Sequence, residues 1–199
     1  KKNASGTGMY SDREDDASKI SYMIKKAEKK KDKVIVSSRT KRHENLLFKI
    51  LYFFHKFITF IFTLSWISFG SFSSFHSNNL KNILKNNSSW LAFSACISKN
   101  CKTLKTFAER KKRFLGNSKL SFYGLMKHSL RVNAVFFQRI IFFSFIYAFV
   151  LTNFVFFNSK FNFYLIALLI LYNTTIFSTI ILNNCSNFKI SNKFIKSLK

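Results

Sequence analysis

The chain has 199 residues with 33 Lys and Arg against 8 Asp and Glu, a formal net charge of +25, and contains 27 Phe, 5 Gly and no Pro. From Asn45 onward Glu109 is the only carboxylate, which excludes paired-carboxylate catalysis and carboxylate-bound metal from that part of the chain. Cys96, Cys101 and Cys185 show no two-residue spacing, so neither a zinc site nor a disulfide framework is indicated and reduced thiols are expected. The chain opens on Lys1, which leads us to expect a fragment or a processed form.

Residues 1–44 read as a charged N-terminal region. The first ten are expected to be disordered. Ser11, Asp12, Arg13 and Glu14 then form a Ser-x-x-Glu capping box, and a helix is expected to start there. Ile20, Met23, Ile24 and Ala27 recur at three- and four-residue steps, and Lys25, Lys26, Lys29, Lys30, Lys31 and Lys33 crowd the far end. This is a short amphipathic helix with a basic C-terminal end, for which a solvated face is the expected role. Val34 to Val36 is too short to assign.

Residues 45–70 form an apolar segment with a polar stripe. Asn45, Lys49, Tyr52, Lys56, Thr59 and Thr63 recur on one helical side, with His55 beside them. The segment is expected to span a membrane or to lie in its interface, with the balance slightly toward spanning. His55 has no carboxylate near it in sequence and is expected to be an ordinary member of the polar stripe. Residues 71–97 read as a Ser/Asn-rich loop. Its sequons at Asn86 and Asn87 are of the kind that arise by chance, and Trp90 to Ile97 forms an interfacial or packed turn too short to cross.

Residues 98–133 carry ten Lys and Arg against one Glu between Ser98 and Arg131. Leu104, Phe107, Ala108, Phe114 and Leu115 are expected on one helical side, making a basic amphipathic helix. Lys102, Lys105, Arg110, Lys111, Lys112 and Arg113 are the expected contacts for anionic lipid or phosphate, since each base near an acidic leaflet contributes about 1 kcal/mol.

The dominant signal is a pair of uncharged runs, Ile140 to Phe157 and Phe161 to Leu182. They predict a two-helix transmembrane hairpin over residues 134–157 and 161–182, because about 20 apolar residues cross a hydrocarbon core of about 30 Å. Lipid offers no hydrogen-bond partner to an unpaired backbone, so each run is expected to be helical. Asn153, Asn162 and Asn173 are expected to pair helix to helix. The basic tail 183–199 and the basic 98–133 segment flank the hairpin, which by the positive-inside rule puts both on one side. A single span through residues 45–70 would place the N-terminal region on the other side, against that rule.

The expected fold is therefore an all-α membrane protein with a C-terminal hairpin, a third candidate membrane helix at 45–70, and soluble or disordered basic segments. The expected function is that of a small non-enzymatic integral membrane protein, with no cofactor. Its basic membrane-proximal segments would bind anionic headgroups or partner subunits. Two alternatives compete with it: a basic organellar, ribosomal-type protein bound to nucleic acid, and translated AT-rich sequence with no stable fold. No Gly-rich phosphate loop, zincin motif or internal repeat is present.

Overall fold

The structure is a computed structural model that describes residues 5–8, 19–39, 46–84, 88–108, 121–153 and 159–197. In chain order these form β1 (Ser5–Gly8), α1 (Ile20–Lys29), β2 (Lys33–Arg39), α2 (Leu46–Thr63), β3 (Phe69–His76), α3 (Ser77–Leu84), α4 (Ser88–Leu91), α5 (Phe93–Asn100), β4 (Lys102–Ala108), α6 (Phe122–Val135), α7 (Phe137–Asn153) and α8 (Ser159–Ser197). Most of the described chain is helical, as expected. It is not all-α, because four strands form one sheet in the order β1-β3-β2-β4.

The sheet corrects several local expectations. Ser5–Gly8 lies antiparallel on β3, where disorder was expected. Phe69–His76, expected to end a helix and begin a loop, is the strand between β1 and β2. Lys102–Ala108, expected in a basic helix, pairs parallel with β2, Lys33 opposite Lys102 through Arg39 opposite Ala108. Partners this distant in sequence leave no local trace beyond a short apolar or β-branched run, and such a run reads equally well as loop or helix. The capping box at 11–14 lies outside the described residues, and the helix that follows begins at Ile20.

Alternation along β2 separates two cores, since successive strand side chains point to opposite faces. On one face Ile35 and Phe72 pack with Met23 and Ala27 of α1. The apolar stripe read from the sequence therefore covers the sheet. On the other face Val34, Val36 and Phe69 pack with Ile83, Ala95 and Ile97 of α3 and α5, and with Val132, Val135 and Phe136 at the end of α6. That second core joins the sheet to the long helices.

α7 and α8 form an antiparallel pair. Phe137 stacks on Phe177 at 5.8 Å, Asn173 Nδ2 donates to Ser144 Oγ at 2.9 Å, and Asn162 Nδ2 donates to the Leu151 carbonyl at 3.0 Å. Residue numbers rise along one helix as they fall along the other, so both outer ends of the pair lie at the same end. Two of the three expected asparagine contacts thus bridge the helices, whereas Asn153 bonds back to the Phe149 carbonyl of its own helix at 2.7 Å. α6 meets α7 at 88°, the break falling at buried Phe136, whose N–H turns back to the Asn133 carbonyl at 2.8 Å. Leu46–Thr63 and Lys160–Asn184 are each long and apolar enough to cross a membrane, with α6 and α7 together supplying a third if the bent pair is one span.

Candidate membrane-contact site

The helical part is built inside out relative to the sheet. Along α2 the side facing the rest of the protein is polar. His55 Nδ1 is hydrogen-bonded to Ser129 Oγ at 2.6 Å, Thr59 Oγ1 donates to Asn133 Oδ1 at 2.8 Å, and Thr63 is fully buried. The outward side is Leu46, Leu47, Ile50, Phe53, Phe54, Phe57, Ile58 and Phe60, every one of them exposed. A helix in water buries the opposite stripe. His55 is a hydrogen-bonded member of the α2–α6 contact, with the His128 ring 6.3 Å away. Among the described residues the only carboxylates are Glu28 and Asp32, within and just after α1, so no acid–base pair forms around the histidines.

The end of α2 is held by a cation. Arg139 Nη1 donates to the Thr63 carbonyl at 3.2 Å and to Ser65 Oγ at 3.1 Å, a favourable charge at the negative end of the helix dipole. Leu64, at φ 51°, takes the left-handed position that usually closes a helix with Gly. Tyr147 Oη donates to the Ile61 carbonyl at 2.6 Å, and Phe62 lies against Tyr147 and Tyr172 at 5.5 and 4.9 Å. Lys56 Nζ sits 4.8 Å from the Tyr52 ring and 5.7 Å from the Trp66 ring, cation–π distances that anchor a charge at the edge of an aromatic surface.

α8 is predominantly apolar along Lys160–Asn184, yet of these residues only Asn162, Ile176 and Asn183 are buried. Phe163, Leu168, Ile170, Leu171 and Leu182 are each more than 60% exposed, far more contiguous apolar surface than a protein in water tolerates. A cleft of about 400 Å³ between α7 and α8, lined by Ile141, Phe145, Leu169 and Phe177, continues that surface inward.

The expected basic contacts are split by the fold. Lys102 and Lys105 are both exposed on β4, but an odd separation on a strand puts them on opposite faces. Lys102 lies beside Lys33 on the α1 side, and Lys105 beside Val36 on the side that packs against α5. Arg110, Lys111, Lys112 and Arg113 lie outside the described residues. No local pattern signals that Lys33 meets Lys102, because only the β2–β4 pairing joins them. Nor does any pattern single out exposed Lys127 on α6 and exposed Arg139 just past the α6–α7 bend. Lys99 near the same bend donates to the Val135 carbonyl at 2.8 Å, and burial, then the Arg139 charge, lowers its pKa below the usual lysine range. Cys96 and Cys101 form no disulfide, and burial, with Cys96 adding to it, raises the Cys101 thiol pKa and favours the protonated form. No group of three or more metal-ligating side chains occurs among the described residues. No family model, curated protein or solved structure matches the chain.

Proposed function

We propose that this is a small non-enzymatic integral membrane protein, anchored by the α7–α8 hairpin, whose basic residues at the hairpin base bind anionic headgroups. One observation carries the reading: the hairpin keeps Asn162, Asn173 and Ser144 at the helix contact while leaving Phe163, Leu168, Leu171 and Leu182 outside. Lipid makes that arrangement favourable, since its tails accept apolar side chains and offer nothing to a polar one. The antiparallel pairing puts the α7 start and the long basic end of α8 at one end, as positive-inside topology requires. Lys127 on α6 and Arg139 at the start of α7 are exposed, and a headgroup layer around that base would meet them.

Alkaline carbonate extraction of the expressed chain tests the anchor. The protein should stay in the membrane pellet; release into the supernatant rejects integral insertion and favours packing within a soluble assembly such as a ribonucleoprotein. In detergent, the full chain should retain anionic over zwitterionic lipid at low salt. That preference should fade near 0.5 M salt, where the screening length falls below about 5 Å. Equal retention of both lipids would show that apolar contact alone holds them.

A further inference from the structure

We infer that α2 does not cross the membrane but lies within the leaflet on the side of the sheet, its outer face in the acyl chains; this rests on the hairpin anchor proposed above. Chain parity is the first reason. β2 and β3 are hydrogen-bonded neighbours, with Ser38 opposite Phe69, so the chain leaves the sheet at Arg39 and re-enters it at Phe69 on one side of any membrane. Between those points it must cross an even number of times. α2 is one helix of 18 residues, roughly 27 Å long at about 1.5 Å per residue. A single crossing would need a second one to return. The five residues 64–68 reach at most roughly 18 Å even when extended, and residues 40–45 include Lys41, Arg42, His43 and Glu44. Neither connection can supply it, so the number of crossings is zero.

Packing gives the same answer independently. His55, Thr59 and Thr63 lie one turn apart, and they meet Ser129, Asn133 and, past the bend, Arg139. α2 therefore advances along α6 in the same direction. α6 stands at 88° to α7, so when the hairpin lies along the membrane normal, α6 lies in the membrane plane, with the His55–Thr59 turn of α2 against it and the last turn of α2, Ile61 to Thr63, against α7 at Arg139 and Tyr147. The outward face of α2 then looks into lipid. Its eight exposed apolar residues fit an acyl layer, and Lys49 and Lys56, two turns apart, lie along one edge of that face, within reach of headgroups. Such a helix buries its apolar face about 5–10 Å below the headgroup boundary. Trp66, beside Phe53, Phe60 and Lys56, has the mixed surroundings of an interfacial tryptophan. With α2 in one leaflet, the sheet, α1 and both ends of the hairpin share one side, and the conflict between residues 45–70 and the charge rule disappears.

The test uses the full chain in sealed microsomes with Cys96, Cys101 and Cys185 replaced by Ala. Single substitutions Lys49→Cys, Ser65→Cys, Phe107→Cys and Lys160→Cys are probed with an impermeant maleimide before and after permeabilisation. Lys49→Cys and Ser65→Cys should label from the same side as Phe107→Cys on the sheet, and Lys160→Cys from the other. If either end of α2 labels from the side opposite Phe107→Cys, α2 crosses and the inference is overturned while the hairpin stands. If Lys160→Cys labels from the sheet side, the hairpin anchor fails, and a second measurement decides where α2 lies. A fluorophore on Phe57→Cys should lose most of its emission in brominated lipid, and one on Phe107→Cys should keep it. Undiminished emission at position 57 overturns the placement in lipid.

Discussion

The sheet and the hairpin solve one problem in opposite solvents. In the sheet, Val34, Val36, Phe69 and Phe136 are inside and lysines are outside. Along α2, α7 and α8, Thr59, Thr63 and Ser144 are inside, while Phe53, Phe54, Phe57, Phe145, Phe149 and Phe163 are outside. The two regions meet at Phe136, whose fully buried ring belongs to the sheet core and whose backbone makes the bend into α7. Burial by itself therefore does not identify a stabilising side chain. What the excluded solvent would have offered that side chain decides the sign.

Val36→Asp should break the sheet half outright. It puts an unpaired carboxylate into a fully buried core, a class of change that costs roughly 4 kcal/mol or more. Limited proteolysis should then cut β2 and β4 while α7 and α8 stay protected in the bilayer; protection of both would mean that the two halves are not separable. The matching change outside the hairpin is Leu171→Lys, at a residue 64% exposed. On a water surface it would be nearly neutral, whereas at the centre of a span it should cost about 3 kcal/mol of insertion. A glycosylation-reporter assay of insertion measures it, and no loss would sink the reversed-solvent reading of α8.

Thr59→Val sharpens the comparison at the α2–α6 contact. It leaves Asn133 Oδ1 without its donor, which should cost about 1 kcal/mol, nearer the modest values found between membrane helices than those for a soluble core. Unfolding in mixed micelles would detect it, and a gain in stability would show that the contact carries strain. Smallest is Leu64→Gly, which relieves an L side chain of a left-handed backbone and should raise stability by at most about 1 kcal/mol. A lower midpoint would mean that the exposed leucine holds the α2 end through lipid contact.

Legibility follows the range of the interactions. The stripe Ile20, Met23, Ile24 and Ala27 predicts a one-sided helix, and the helix forms, because its period is a local property. Its partner is not legible, since the sheet it covers is assembled from strands far apart in the chain. Lys102 and Lys105 are both exposed but are not neighbours, because pairing with β2 sets a two-fold rather than a 3.6-fold period. The polar stripe of residues 45–70 is visible residue by residue, while the direction it faces is not.

By itself the sequence determined the two long apolar runs, their helical form and the basic character of everything around them, because length, hydropathy and charge are summed along the chain and need no partner. Only the tertiary structure decided that the short runs at Val34–Val36 and Phe69–His76 are strands, since a strand satisfies its backbone through another segment. The same pairing carries the inference for α2, in which an apolar 18-residue helix turns back into its own leaflet. Hydropathy measures whether a helix can cross, whereas hydrogen bonds between the strands on either side fix where the chain must return.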